Sequence, residues 1–221
     1  IPGILSVLAV LLVRENPASA PPSLKAPPLH LSLRTLPKNL QLFIIVSALF
    51  ALGHFGYAFL LLKAKDIGLA DERAILLYVV FYVVYSLCSI PSGALSDRRG
   101  RKPMLLAGYA VFGLTCAGAL VASEMWILVF VFCAYGVFFA MIDGAQRAFV
   151  VDLAPPDLVA TALGTFHTAI GLAALPGGFV AGALWDHFDP GATFIYGLSL
   201  TGLSMGAFLF IKAPRTDQRQ R

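Results

Sequence analysis

The sequence predicts an all-α integral membrane protein: a bundle of six transmembrane helices preceded by a partial one. Three observations predict it. Of 221 residues, 58% are hydrophobic and 13% charged, and the mean hydropathy is +0.81, which leaves too little polar surface for a water-soluble domain. Apolar runs of about eighteen residues or more recur, the length an α-helix needs to cross the hydrocarbon core. Cations collect in alternate breaks between those runs, the pattern that orients membrane spans.

The chain opens inside an apolar run, Ile1 to Val13. At 1.5 Å per residue this run reaches about 20 Å, short of the roughly 30 Å core. It lacks the basic start and small-residue cleavage site of a signal peptide. Residues 1–15 therefore read as the end of a truncated transmembrane helix, and the chain as a fragment or one piece of a longer protein. Residues 16–39 are rich in Pro, Ser and Leu. Repeated prolines remove backbone donors and favour extended chain, so this segment reads as a cytoplasmic linker. Residues 40–212 form the six-helix bundle, and 213–221 a basic cytoplasmic tail.

Leu40 to Leu62 is the first full span, with Gly53, His54, Gly56 and Tyr57 near its middle. Ala74 to Ser96 is the second and is rich in aromatics, with Pro91 placed to kink its inner end. Pro103 to Ser123 is the third. Gly108, Gly113 and Gly118 recur along it, and small residues let helices approach closely in lipid. Trp126 to Leu153 is the fourth. Trp126 is placed as an interfacial anchor, Asp143, Gln146 and Arg147 interrupt the apolar run, Asp152 closes it, and Pro155-Pro156 ends the helix. Leu158 to Trp185 carries His167 and Leu175-Pro176-Gly177-Gly178. Thr193 to Ile211 completes the bundle.

Of sixteen Lys and Arg, only Lys63, Lys65 and Arg73 fall on the side opposite the basic segment at 98–102. That asymmetry puts the segment and the C-terminus in the cytoplasm. The net charge of +4 sits between apolar spans, where it orients the protein and meets anionic lipid, so a nucleic-acid partner is not expected. Cys88, Cys116 and Cys133 lie inside apolar runs without metal or disulfide spacing, and read as packing residues. No His-rich metal cluster, nucleophile elbow or phosphate-binding glycine loop occurs. These patterns predict no enzyme, no cofactor and no metal site.

One segment is more specific than its surroundings: Gly93-Ala94-Leu95-Ser96-Asp97-Arg98-Arg99-Gly100-Arg101-Lys102. It reads as a short loop between two antiparallel helices, with Gly93 and Gly100 permitting the tight turn. Its order, G-x-L-S-D-R-x-G-R-K, resembles the loop signature of the major facilitator superfamily. A second stretch is similar to a bacterial branch of drug and metabolite exporters in that superfamily: Asp152-Leu153-Ala154-Pro155, Ala162-Leu163-Gly164-Thr165-Phe166-His167, Ala174-Leu175-Pro176 and Gly182-Ala183-Leu184-Trp185-Asp186. It departs from that branch at Val159-Ala160, where the branch often carries Arg-Gly.

The resemblance implies the C-terminal half of a major facilitator fold. Its partners would be a missing N-terminal six-helix half, the lipid bilayer, a small-molecule substrate and a coupling proton, with alternating access in the plasma (cytoplasmic) membrane. It also implies a conformational gate at Gly93, Asp97, Arg98, Gly100, Arg101 and Lys102. There the Asp97 carboxylate docks near a helix N-terminus and pairs with Arg98, Arg101 or Lys102. An anion so placed gains about 0.3–1 kcal/mol, enough to bias one state of a cycle without locking it. The alternative function is a non-transporting membrane receptor or scaffold with the same fold.

Asp143 is the leading candidate for coupling. It lies ten residues from the end of its span, about 15 Å deep, where a carboxylate is costly unless paired or protonated. Arg147 stands one turn away for an i,i+4 pair. Two readings stand: a structural pair, or a carboxylate coupled to proton or substrate. His54 and His167 sit mid-span and read either as hydrogen-bonded packing residues or as a relay into a shared cavity. Tyr57, Tyr82, Tyr85 and Tyr135 read either as ordinary packing or as the lining of an aromatic cavity. Gly177-Gly178 reads as a close helix contact or a weak point at an outer gate.

Overall fold

Six helical stretches are long and apolar enough to cross a membrane within residues 36–211, the part of the chain that the computed structural model describes. The partial helix 1–15, most of the linker 16–39 and the tail 213–221 lie outside the described residues.

The first span is two helices, α1 (Lys38–Gly53) and α2 (Tyr57–Asp66), parted by a three-residue break at 54–56. Then come α3 (Asp71–Arg99), α4 (Arg101–Val121) and α5 (Met125–Leu153). A 3₁₀ turn (Pro156–Leu158) leads into α6 (Val159–His187), and α7 (Pro190–Leu209) ends the bundle.

The basic segment departs from its sequence reading. Residues 93–99 are the last turns of α3, and Gly100, at φ +94°, is the single residue between α3 and α4. Only Gly100 makes the turn. Gly93 is helical, and a Cβ built there meets nothing within 4 Å. The helix outruns its apolar stretch because polar side chains at a membrane surface stay hydrated. Arg98 and Arg99 in the last turn, and Asp71 and Glu72 in the first, both complement the helix dipole. Pro91 lies inside the continuous α3 and Pro176 inside the continuous α6.

Two three-helix groups make the bundle. In one, α5 packs between α3 and α4. In the other, α1 packs between α6 and α7. The groups meet where α4 runs along α7 and α5 touches α1 and α6. Glycines set the closest approaches. A Cβ at Gly108 or Gly118 of α4 would lie 2.6 Å from Ile142 or 2.9 Å from Val131 of α5, and one at Gly136 would lie 2.8 Å from the Phe81 carbonyl of α3. Gly113 makes only ordinary contact with Leu198 of α7, at 3.5 Å. Aromatic rings fill the space between the groups. Phe43 of α1 meets Phe149, Phe166 and Phe208 of three other helices at centroid distances of 4.8–5.7 Å. Trp126 is exposed, whereas Trp185 is half-buried against Phe59 and Phe194.

Candidate functional site

The break in the first span organises the site. Three glycines let neighbouring helices close on it. A Cβ at Gly177 of α6 would run into the backbone of Leu52, one at Gly197 of α7 would lie 2.8 Å from the Phe55 ring, and one at Gly53 would lie 2.6 Å from Leu200. Gly177 is thus a close helix contact, while Gly178 faces open space. Backbone groups freed inside a membrane need partners within the protein. Tyr135 of α5, fully buried, donates its hydroxyl to the Phe55 carbonyl at 3.1 Å and lies 3.4 Å from His54 Nε2. The His54 amide donates to Phe50 O at 2.9 Å, and the Phe59 amide to Gly56 O at 3.1 Å. Tyr135 therefore braces the break from within the core.

Beside the break lies a cavity of about 180 Å³ between α1, α5 and α6. Its wall is largely apolar, with Phe50, Phe138 and Phe139 prominent, and its polar groups are Ser47, His54, Asp143 and Gln146. Asp143 and Arg147 form the pair their spacing allows, with Oδ1 2.5 Å from Nη2. Arg147 Nε also donates to the Asp143 carbonyl at 3.0 Å. Tyr85 of α3 donates to Asp143 Oδ2 at 3.3 Å. Both members of the ion pair are half-exposed. Gln146 turns to the Tyr109 hydroxyl at 3.4 Å.

His54 and Asp143 thus share one cavity, and Tyr85 joins them through Asp143. The other candidates are placed elsewhere. His167 is exposed, does not line this cavity and packs edge-on against Phe166. Tyr57 and Tyr82 gather around Tyr78 on α3, at ring distances of 4.8 and 4.9 Å. Tyr82 lines a separate shallow groove on the outer face of α3.

At the end of the bundle that carries the Gly100 turn, Arg101 is shared between two carboxylates and a carbonyl. Arg101 binds Asp152 of α5 at 2.5 Å and the Ala148 carbonyl at 2.5 Å, while Asp97, largely exposed, stands 3.8 Å off. Lys102 donates to the carbonyls of Leu209 and Ile211, at 3.1 and 2.5 Å, and so caps the end of α7. Arg98 and Arg99 are exposed. Asp152 is the partner the sequence reading missed. Its only sequence signal was a carboxylate at the end of an apolar span, facing a basic segment far away in the chain. The break was missed too, although a Gly-x-x-Gly interruption of one apolar run is the pattern that marks discontinuous helices in transport proteins.

A bundle of membrane-length helices, one of them discontinuous beside a carboxylate and a histidine, defines a polytopic α-helical integral membrane protein with an ionisable site inside its spans. The chain belongs to the Major Facilitator Superfamily, whose family model matches residues 41–221. It is 38% identical over 215 residues to an uncharacterised MFS-type transporter of Methanocaldococcus jannaschii, covering 95% of this chain and 53% of that protein. It is 30% identical over 160 residues to the multidrug resistance protein MdtG of Proteus mirabilis, covering 69% of this chain and 37% of that protein. The class C tetracycline resistance protein of Escherichia coli matches at 30% over 160 residues, covering 69% and 38%. The chain spans about half the length, or less, of these relatives.

Proposed function

We propose that this chain is the C-terminal six-helix half of a proton-coupled secondary transporter that exports a small molecule from the cytoplasm. An N-terminal six-helix half is its partner, and the two rock about a shared midplane site. The C-terminus lies in the cytoplasm of a cell whose plasma membrane holds the protein, a reading supported by the Lys and Arg distribution. The names of the multidrug resistance relatives support export.

The observation that carries the reading is the cavity shared by His54 and Asp143 at the broken span. A mostly apolar, aromatic wall with a few convergent polar groups suits an amphipathic small molecule. A carboxylate left charged and unpaired among membrane spans costs several kcal/mol. Asp143 therefore exchanges partners rather than losing them. It holds Arg147 and Tyr85 in one state, and a proton or a cationic group of the substrate in another. Arg147, one turn nearer the cytoplasmic end of α5, has a long stem that carries its charge toward water when released.

The test is proton flux in proteoliposomes of the intact transporter containing this chain, with an internal pH dye and a panel of drugs, sugars, amino acids and organic anions. Substrate-dependent flux that is lost in Asp143→Asn supports the reading. Flux unchanged in that variant returns Asp143 to a structural role.

A further inference from the structure

Asp143 borders two spaces. One is the cavity it shares with His54. The other is a groove of about 360 Å³ between α3 and α5 that runs from Asp143 to Asp97 and Arg101. On α3 the groove is lined by Ser89, Ser92 and Ser96. These lie at i, i+3 and i+7, one face of the helix, and span about 10 Å along its axis. On α5 it meets Met141 and the small residues Ala140, Gly144, Ala145 and Ala148. The glycines, alanines and serines leave it open, and Cβ atoms built at Gly93 and Gly144 meet nothing within 4 Å.

Where α5 meets α4 it is closed by tight glycine contacts at Gly108 and Gly118. Here hydroxyls face a gap with room for several waters, each taking about 30 Å³. A second feature marks the gap as wet. Arg101 Nε is buried without a hydrogen-bond acceptor among the described residues. A buried guanidinium donor of this kind is normally satisfied by an ordered water, and Arg101 lines the groove.

We infer that the Ser89–Ser92–Ser96 groove is a hydrated path along which Asp143 exchanges its proton with the cytoplasm, separate from the cavity that takes the substrate. The inference rests on the reading of Asp143 as the coupling carboxylate. In the proton-releasing step the Asp143 O–H bond breaks, the proton passes to water in the groove, and the carboxylate re-forms its pair with Arg147. The paired arrangement is the deprotonated state. The charged or titratable groups that face Asp143 are Arg147 on its own helix, Tyr85 on α3 and His54 across the cavity on α1. Ile170, the contribution of α6 to that cavity, carries no charge. Asp97 and Arg101 stand at the far end of the groove, where the path opens to the cytoplasm.

Single cysteines at Ser89, Ser92 and Ser96, in a cysteine-free version of the intact transporter, are treated with a membrane-impermeant methanethiosulfonate from the cytoplasmic side. Ile90→Cys, on the exposed apolar face of α3, is the control. The groove cysteines are expected to react at least about tenfold faster than the control, a difference of ~1.4 kcal/mol in access. Gly144→Leu, built into open space, is expected to slow both that labelling and substrate-driven proton flux by about tenfold while leaving substrate binding intact, and Gly144→Ala to change neither. Groove cysteines as unreactive as Ile90→Cys would overturn the hydrated path. Rapid labelling with proton flux unchanged in Gly144→Leu would overturn its use by the proton while leaving the coupling role of Asp143 standing. Rapid labelling with no proton flux in the unsubstituted transporter would overturn the coupling itself, and the path's use with it.

Discussion

Helix α5 carries two ion pairs of the same length and opposite character. Near its C-terminal end, Asp152 meets Arg101 at 2.5 Å with both side chains mostly covered, at 21% and 16% exposure. In its middle, Asp143 meets Arg147 at 2.5 Å with each about half open, at 49% and 50%. The first ties the start of α4 to the end of α5, at the opposite end from the short 122–124 turn that connects these two helices, and Arg101 is held again by the Ala148 carbonyl. The second lies within one helix and borders two cavities. Distance does not separate the two pairs. Burial and the room to change partners do.

That contrast orders the expected effects. Removing the cation from a mostly covered pair costs charge-assisted hydrogen bonds, so Arg101→Ala is expected to cost about 1.5–3 kcal/mol, read as a fall in the unfolding midpoint of the purified protein. An equal loss from Arg147→Ala would erase the difference between the two pairs. Next comes packing at the break. Gly177→Ala drives a Cβ into the Leu52 backbone and is expected to cost about 1–3 kcal/mol. Gly178→Ala, in open space, is expected to be neutral or to gain up to about 1 kcal/mol in helix propensity. The same unfolding measurement on both sharpens the assignment of Gly177 as a contact.

Tyr135→Phe removes a buried hydroxyl from the Phe55 carbonyl and is expected to cost about 1 kcal/mol. Faster hydrogen exchange at residues 54–58, with the rest of the bundle unchanged, would place that cost at the break. The smallest losses among the polar substitutions belong to Asp143→Asn and Asp97→Ala, about 0.5 kcal/mol each for pairs this open. Both are nevertheless expected to impair transport while leaving membrane insertion intact. Normal transport in Asp97→Ala would remove it from the gate.

What the sequence carried and what it hid follow from range. The six spans were legible because lipid demands long apolar runs. The Asp143–Arg147 pair was legible because i,i+4 is a helical neighbour. The Arg101–Asp152 pair was hidden because its members meet through the packing of separate helices, which no local pattern encodes. The break at 54–56 was hidden by the long apolar stretches on either side of it, while Gly53, Gly177 and Gly197 bring three backbones together around it. The basic segment read as a loop because its residues are polar, yet residues 93–99 remain helical because the end of a span can be hydrated without unwinding. His167, Tyr57 and Tyr82 looked equivalent to His54 and Tyr85 in composition, and only the packing of α3 and α6 set them apart.

Proton-coupled export through this site requires Asp143 to change its protonation when substrate binds. The direct measurement is proton release from the purified intact transporter in detergent, followed with a pH indicator as substrate is added, for the unsubstituted protein and for Asp143→Asn. Release is expected to saturate with substrate binding in the first and to be absent in the second, with binding retained. Equal release from both would contradict the coupling role of Asp143.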